Sequence, residues 1–116
     1  MAINYSAKAV FRGGHLVSWT AVPNGQQGIG WSVGPFTVIS AQVTGTFGAA
    51  GSVAIEGSMD NVNWGALHNP QGTAIAVTAA GAVRVMEVPL YIRPNVTAGD
   101  GTTALTVQVL AVGGFV

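Results

Sequence analysis

The residue types that could support hydrolytic chemistry lie close together in the stretch GSMDNVNWGALH. Ser58, Asp60 and His68 are the kinds of side chain that serve as nucleophile, orienting carboxylate and base in a catalytic triad. Ser58 is not framed by the G-x-S-x-G turn that presents the serine of a hydrolase, so this set is a poor candidate. Neither His68 nor the second histidine, His15, has a carboxylate at a spacing that would orient it. We therefore predict no catalytic residue and interpret both histidines as surface or interface side chains.

The four carboxylates of the chain form no recognisable pair of acid and base. They are Glu56, Asp60, Glu87 and Asp100. Glu56 and Glu87 lie in strand-like runs of alternating residues. We expect these two side chains to pair with Arg84 or Arg93 across a sheet. The chain is therefore predicted not to be an enzyme.

A calcium site is a second chemical possibility, because the run from Asp60 to Gly65 is similar to the start of a calcium-binding loop. Val62 stands where an oxygen ligand is required, however, and no glutamate follows at the distal position. The chain also has no cysteine for a thiolate site. We predict no metal, and leave a calcium ion held by Asp60 and loop carbonyls as the alternative.

The glycine-rich run GIGWSVG does not predict a cofactor site. Its glycines, at positions 28, 30 and 34, lack the spacing of the dinucleotide-binding fingerprint, and no strand–helix unit surrounds them. We therefore predict that the chain binds no cofactor.

Trp64, with Asp60 and Asn63 beside it, could form the rim of a carbohydrate site. Aromatic rings next to polar turns can stack on sugar rings, whereas buried rings act as core or interface anchors. We favour packing for Trp64 and keep the ligand rim as the alternative.

Charged residues make up only 7% of the chain and the net charge is zero, whereas about 25% is typical of a soluble domain. Four basic residues are too few for the electrostatic footprint of nucleic-acid binding or for an anionic membrane surface. Apolar residues reach 49%. Because so few charges keep copies apart, we predict that much of the surface is buried against other subunits. The alternative is a surface tiled with small, uncharged residues.

Strand signals dominate the sequence, and helix signals are almost absent. Runs rich in Val, Ile and Thr, or alternating in polarity, recur along the chain. They are Phe36–Phe47, Ser52–Ser58, Ala82–Pro89 and Ala104–Val112. Turn formers separate them at intervals of roughly 8–15 residues. We predict one all-β domain: an antiparallel β-sandwich, jelly-roll-like or immunoglobulin-like, with about seven or eight strands.

Pro89 and Pro94 place the strand between them at an edge or a bend.

The runs GSMDNVNWGAL and VPLYIRPNVTAGDGTTALTVQVL resemble small β-sandwich proteins of tailed-phage virions. Those proteins show a G-S-x-D-x-x-x-W-x-x-L turn, a Y-I-R-P-x-V-T strand, a glycine-rich turn and a final valine-rich strand. The resemblance implies a non-enzymatic virion protein, above all a head decoration (cement) protein, with a tail or fibre-base component as the alternative. It further implies a homotrimer that binds the major capsid protein on the capsid surface, after synthesis in the host cytoplasm.

Residues 1–16 are predicted to form an N-terminal arm or first strand, and residues 17–116 the β-sandwich domain. The N-terminal segment holds two of the four basic residues and has no clear hairpin partner in the sequence. We expect it to face the capsid or another subunit. The residues predicted to lie at this interface are Tyr5, Lys8, Phe11 and Arg12.

The turn around Trp64 is also similar to the S-x-D-G-x-x-W element of discoidin-like jelly rolls, a class that includes carbohydrate and lipid binders. Asn61 stands where that element has glycine. The second functional hypothesis is therefore a carbohydrate-binding β-sandwich module.

Overall fold

A computed structural model describes residues 2–113, and within that range the chain is all-β, with ten strands and no helix. Accordingly, no described helix has the length and hydropathy needed to cross a membrane. The strands are β1 (Tyr5–Phe11), β2 (Gly14–Pro23), β3 (Trp31–Ser32), β4 (Val38–Thr46), β5 (Ser52–Ser58), β6 (Gly65–Ala66), β7 (Ala76–Val77), β8 (Gly81–Val85), β9 (Tyr91–Ala98) and β10 (Ala104–Val112).

The strands form two antiparallel sheets, which confirms the predicted all-β sandwich. The first sheet has the order β1-β2-β10-β4-β8, and the second has the order β3-β9-β5-β6, with β7 also paired to β5. Three of the ten strands, β3, β6 and β7, are only two residues long. The other seven strands are longer. Of these, β4, β5, β8 and β10 coincide with the predicted runs, although the run Ala82–Pro89 is a strand only as far as Val85, and β2 was not predicted.

The core lies between the two sheets and follows the predicted alternation. In β10, Leu105, Val107 and Val109 are buried, as are Val53 and Ile55 of β5 in the opposite sheet. Successive side chains of a strand point to opposite faces, so one face of each sheet supplies the core while the other remains outside. The hydrophobic effect therefore holds the two sheets together through branched aliphatic side chains.

β9 lies inside its sheet, between β3 and β5, so the expected edge strand is wrong, whereas the alternative, a bend between the two prolines, is found at Leu90. Proline lacks the N–H group that a regular ladder needs. Beyond the short β3, however, the neighbour of β9 is an irregular loop, whose Gly28 N–H donates to the Pro94 carbonyl at 2.9 Å. Pro94 therefore interrupts no regular ladder on that side.

The N-terminal segment forms β1, which pairs with β2 along its length, from Tyr5 opposite Trp19 to Phe11 opposite Gly14. The predicted boundary after residue 16 thus falls inside β2. β1 is the edge of the first sheet, and its residues 6–11 are all exposed. Apart from Tyr5, which is half-buried, the side chains of this strand are exposed, and its outer edge pairs with no other described strand.

Trp19 connects the core to the loop between β2 and β3. Its side chain is fully buried, and its indole N–H donates to the carbonyl of Ile29 at 2.9 Å. Gly28 lies directly against the ring: a Cβ atom at this position would come within 2.4 Å of Trp19 Cδ1. The loop can approach this closely only because residue 28 has no side chain.

Asp100 joins two turns at one end of the sandwich. Its Oδ1 accepts hydrogen bonds from the hydroxyl and the backbone N–H of Thr102, at 2.6 and 2.8 Å. Its Oδ2 accepts one from the backbone N–H of Ala49, at 2.8 Å, in the turn between β4 and β5. These bonds, led by the one from the Thr102 hydroxyl, lower the pKa of Asp100 from 3.8 to about 2.

We expect Gly28→Ala to lower the free energy of unfolding by about 1–3 kcal/mol, because the buried Trp19 ring cannot move away from the added methyl group. Gly65→Ala is the matched control. A Cβ atom at residue 65 meets nothing within 4 Å, so its effect should stay within about 0.5 kcal/mol. Urea unfolding followed by tryptophan fluorescence measures both, and equal effects would contradict the close contact.

Acid should weaken the fold through Asp100. Its folded-state pKa of about 2 lies below the ordinary 3.8, so its stabilisation is complete above about pH 4 and is lost as the pH falls toward 2. Urea unfolding at a series of pH values should show Asp100→Asn less stable than the wild type at neutral pH. The difference should shrink below about pH 4. Asp60 titrates in both proteins and therefore cancels in this comparison; a constant difference would refute the role of the Asp100 charge.

Candidate functional site

The predicted ligand rim lies in the loop between β5 and β6, and Asp60 organises this loop. Its Oδ1 accepts hydrogen bonds from the backbone N–H groups of Val62 and Asn63, at 2.9 and 2.8 Å. The Ser58 hydroxyl donates to the same oxygen at 2.9 Å, and the side-chain amide of Asn63 donates to Oδ2 at 2.8 Å. Asn61 has φ 61°, a left-handed conformation that glycine or asparagine adopts readily. One carboxylate thus closes the loop on itself.

These donors stabilise the ionised form of Asp60, with the Asn63 backbone N–H contributing most. They hold the pKa of Asp60 far below its ordinary value. Because both oxygens already bind donors of the loop, the geometry does not favour the calcium alternative. Within residues 2–113, no group of three or more His, Cys, Asp or Glu side chains could hold a metal ion.

The triad of Ser58, Asp60 and His68 is not assembled. Ser58 is only 5% exposed, and its hydroxyl accepts hydrogen bonds from the backbone N–H groups of Asp60 and Asn61 while donating to Asp60. The Nδ1 atom of His68 is instead bonded to a carboxylate oxygen of Glu87. Ser58 therefore caps the turn, and its hydroxyl is not directed at a base.

Glu87 pairs with His68, so the expectation that Glu87 pairs with an arginine is wrong. The Met86 N–H donates to the His68 carbonyl at 2.8 Å, which brings the following residue alongside His68. Glu87 Oε1 then accepts the His68 backbone N–H at 2.7 Å. Partial burial raises the pKa of Glu87, but the hydrogen bonds from the His68 backbone and ring outweigh this effect and lower it.

The expected pair of Glu56 and Arg93 is confirmed. The two residues lie opposite each other in the register of β5 and β9, and Arg93 Nη2 is 2.9 Å from Glu56 Oε1. The side-chain amide of Asn95 donates to the other carboxylate oxygen at 3.0 Å. Both charged side chains are largely buried, so this pair is better shielded from water than a surface ion pair.

Trp64 packs against the protein on two sides. The guanidinium carbon of Arg93 lies 4.3 Å from the centroid of its ring, in a cation–π contact. A Cβ atom on Gly30 would come within 2.7 Å of the same indole. The ring is half-buried, and Arg93 occupies one of the faces that a sugar would need.

A G-x-S-x-G pattern that the sequence argument missed lies at Gly30 to Gly34. Ser32 is exposed in the two-residue strand β3, opposite Tyr91 of β9. A nucleophile elbow needs a helix after the serine, and residues 2–113 contain none. The pattern therefore carries no catalytic assignment.

A groove of about 440 Å³ lies between the β5–β6 loop and the segment that follows β8. Leu67 and Pro89 are buried at this groove, while Met59 and Val88 are 71% and 40% exposed beside it. The residues that line it are Gly57, Ser58, Met59, Asp60, Asn63, Gly65, Ala66, Leu67, Glu87, Val88 and Pro89. It is therefore an apolar groove with two carboxylates and no basic residue among its lining residues.

Sequence reasoning also missed an apolar stripe beside this groove. Met86, Val88 and Leu90 are all exposed, at alternate positions of the extended segment between β8 and β9. Strict alternation would place Leu90 on the buried side of the strand with Ile92. It is exposed because the chain bends at Leu90, before β9 begins. The sequence signal for this stripe is the apolar residue at every second position from Met86 onward.

The predicted interface residues lie on the β1–β2 hairpin, away from the residues of the predicted ligand rim. Tyr5 is half-buried and meets Trp19 edge-on, with ring centroids 6.0 Å apart. Lys8, Phe11 and Arg12 are exposed. β1 is thus both a structural edge and a large uncovered surface.

Comparison with known proteins shows a shared fold but no matching family. No family model matches the sequence, and no curated protein matches it significantly. Among solved structures, the crystal structure of the SPBc2 prophage-derived protein YomS is similar to this chain, with a TM-score of 0.64. The match covers 91% of this chain and 100% of that chain, at 15% sequence identity. The two proteins therefore share a fold.

We expect Trp64→Ala to lower the free energy of unfolding by about 2 kcal/mol, because the half-buried ring loses its contacts with Arg93 and Gly30. Val62→Ala, an exposed residue of the same loop, should change it by less than about 0.5 kcal/mol. Urea unfolding and a glycan array should be measured for both variants. Unchanged stability together with lost glycan binding in Trp64→Ala would contradict the packing interpretation.

Proposed function

We propose that this chain is a non-enzymatic structural protein of a tailed-phage virion that decorates the outer surface of the capsid. The observation that carries the proposal is the fold shared with a prophage-derived protein over the whole length of that chain and nearly all of this one. The virion-like turn and strand motifs of the sequence lie within the same fold. A tail or fibre-base component is the alternative within this class.

The chemistry of the acidic residues supports a structural role. Asp60 and Asp100 close turns, whereas Glu56 and Glu87 bind neighbouring side chains. A general acid or base needs a proton-binding group available to a substrate. Here each carboxylate already accepts hydrogen bonds from the protein itself.

The surface supports assembly on a larger particle. β1 offers an uncovered strand with exposed Lys8, Phe11 and Arg12, and unpaired strand edges are sites where other chains add. Few surface charges oppose such contacts. In the proposed role, copies of the chain associate as a homotrimer and contact the major capsid protein.

Decoration would stabilise the shell by mass action. A protein that binds the assembled lattice but not the free capsid subunits shifts the equilibrium toward the intact particle. No chemical step is required, because the stabilisation comes only from binding one state of the shell in preference to the other. The carbohydrate-binding alternative gains no support from the geometry, because Arg93 covers one face of Trp64.

The test is co-sedimentation of the purified protein with phage particles separated into heads and tails. We expect saturable binding to empty heads, a higher temperature of head disruption, and no binding to unassembled capsid subunits. Lys8→Glu should weaken head binding more than Arg84→Glu, a matched charge reversal at the opposite edge of the first sheet. Binding to tails alone would select the alternative, and binding to neither would refute the proposal.

A further inference from the structure

The tip of the β1–β2 hairpin presents apolar and basic side chains together. Val10 and Phe11 are 42% and 52% exposed, and Arg12 follows in the turn. The register of β1 against β2 shifts between Ala9 and Phe11, so the strand carries an irregularity at the tip. Residues 2–23 contain no carboxylate, and the hairpin is therefore positively charged.

The groove beside the β5–β6 loop has the complementary character. Its exposed apolar wall is formed by Met59 and Val88, and its charged residues are Asp60 and Glu87. Hydrogen bonds lower the pKa of both carboxyl groups, so both are ionised at neutral pH. An apolar and acidic groove thus matches an apolar and basic tip in both chemistry and sign of charge.

The register shows where the two surfaces lie on the molecule. One row of paired residues crosses all five strands of the first sheet, from edge to edge: Ala9, His15, Ala111, Ile39 and Val85. The tip follows Ala9 and the groove segment follows Val85. With strands about 4.8 Å apart, the row spans about 19 Å. The tip and the Glu87–Pro89 wall of the groove therefore continue from opposite edges of the first sheet, at the same level along the strands.

We propose that the hairpin tip of one copy inserts into this groove of a second copy, with Val10 and Phe11 against Met59 and Val88. Each copy then offers a tip on one edge and a groove on the other, so the contact joins different surfaces head to tail. Such contacts form closed rings when the rotation between copies closes, and open fibres when it does not. The rotation between successive copies therefore decides between the two, and the sedimentation experiment below distinguishes a ring of fixed size from a growing fibre.

This contact rests on the proposed function, because the ring is the oligomer that would bind the capsid. Its test uses no capsid, so the two proposals can fail separately. A monomer that still binds heads would overturn the ring alone. A ring that binds no particle would overturn the decoration role alone.

The experiment is sedimentation velocity over a concentration series for the wild type, Val10→Glu and Val88→Glu. We expect a concentration-dependent oligomer for the wild type, and association weakened by about tenfold or more in each variant, because a carboxylate is placed in an apolar, acidic contact. Val62→Glu makes the same substitution on a side chain that is 76% exposed and does not line the groove. It should associate like the wild type.

Mixing the two variants isolates the head-to-tail geometry. Val10→Glu keeps an intact groove, and Val88→Glu keeps an intact tip. In an equimolar mixture, the tip of the second variant can therefore bind the groove of the first, which should give a one-to-one dimer but no ring. Thermal unfolding checks that each variant folds. If Val10→Glu does not fold, Phe11→Ser replaces it at the tip. If Val88→Glu does not fold, Met59→Glu replaces it in the groove.

Three results would overturn the proposal. The first is a wild-type protein that stays monomeric at every concentration. The second is loss of association in Val10→Glu but not in Val88→Glu, which indicates pairing of β1 with β1 across a two-fold axis. The third is a mixture that remains monomeric.

Discussion

The fold depends on the contact between Trp19 and the loop that joins β2 to β3. The indole is fully buried, its N–H binds the Ile29 carbonyl, and Gly28 lies against its ring. The same glycine lies close to Pro94 of β9, so the loop is held between the two sheets. A buried indole N–H needs an acceptor, and the core therefore determines where this loop runs. The arrangement also lets β9 carry a proline inside its sheet.

The few charged side chains mostly stabilise the fold itself. Glu56 and Arg93 pair across the second sheet, Asp60 and Asp100 close turns, and Glu87 binds His68. What remains at the surface is largely small, neutral or apolar. Such a surface has little electrostatic repulsion between copies. The low charge and the exposed edge strand β1 are the two features on which the proposed assembly rests.

The stretch around Trp64 illustrates how the same residues can suggest chemistry and serve structure. Asp60, Asn63 and Trp64 are types found at ligand rims, yet Asp60 and Asn63 bind each other and Trp64 contacts Arg93. The surface left available is the neighbouring groove, formed where the chain passes from β8 to β9. Its apolar wall and acidic residues are complementary in character to the apolar, basic tip of the β1–β2 hairpin.

The sequence by itself determined the regularly alternating strands and their core faces, because the period-two alternation of Leu105, Val107 and Val109 is a local property of the chain. It did not reveal β2, whose Trp19 lies in the core. It also indicated that Glu56 would pair across a sheet. Only the tertiary structure decided that the partner of Glu87 is His68 and that Trp64 lies under Arg93. Those contacts depend on strand register and on the path between sheets, which join residues distant in the chain and are not encoded in any local pattern.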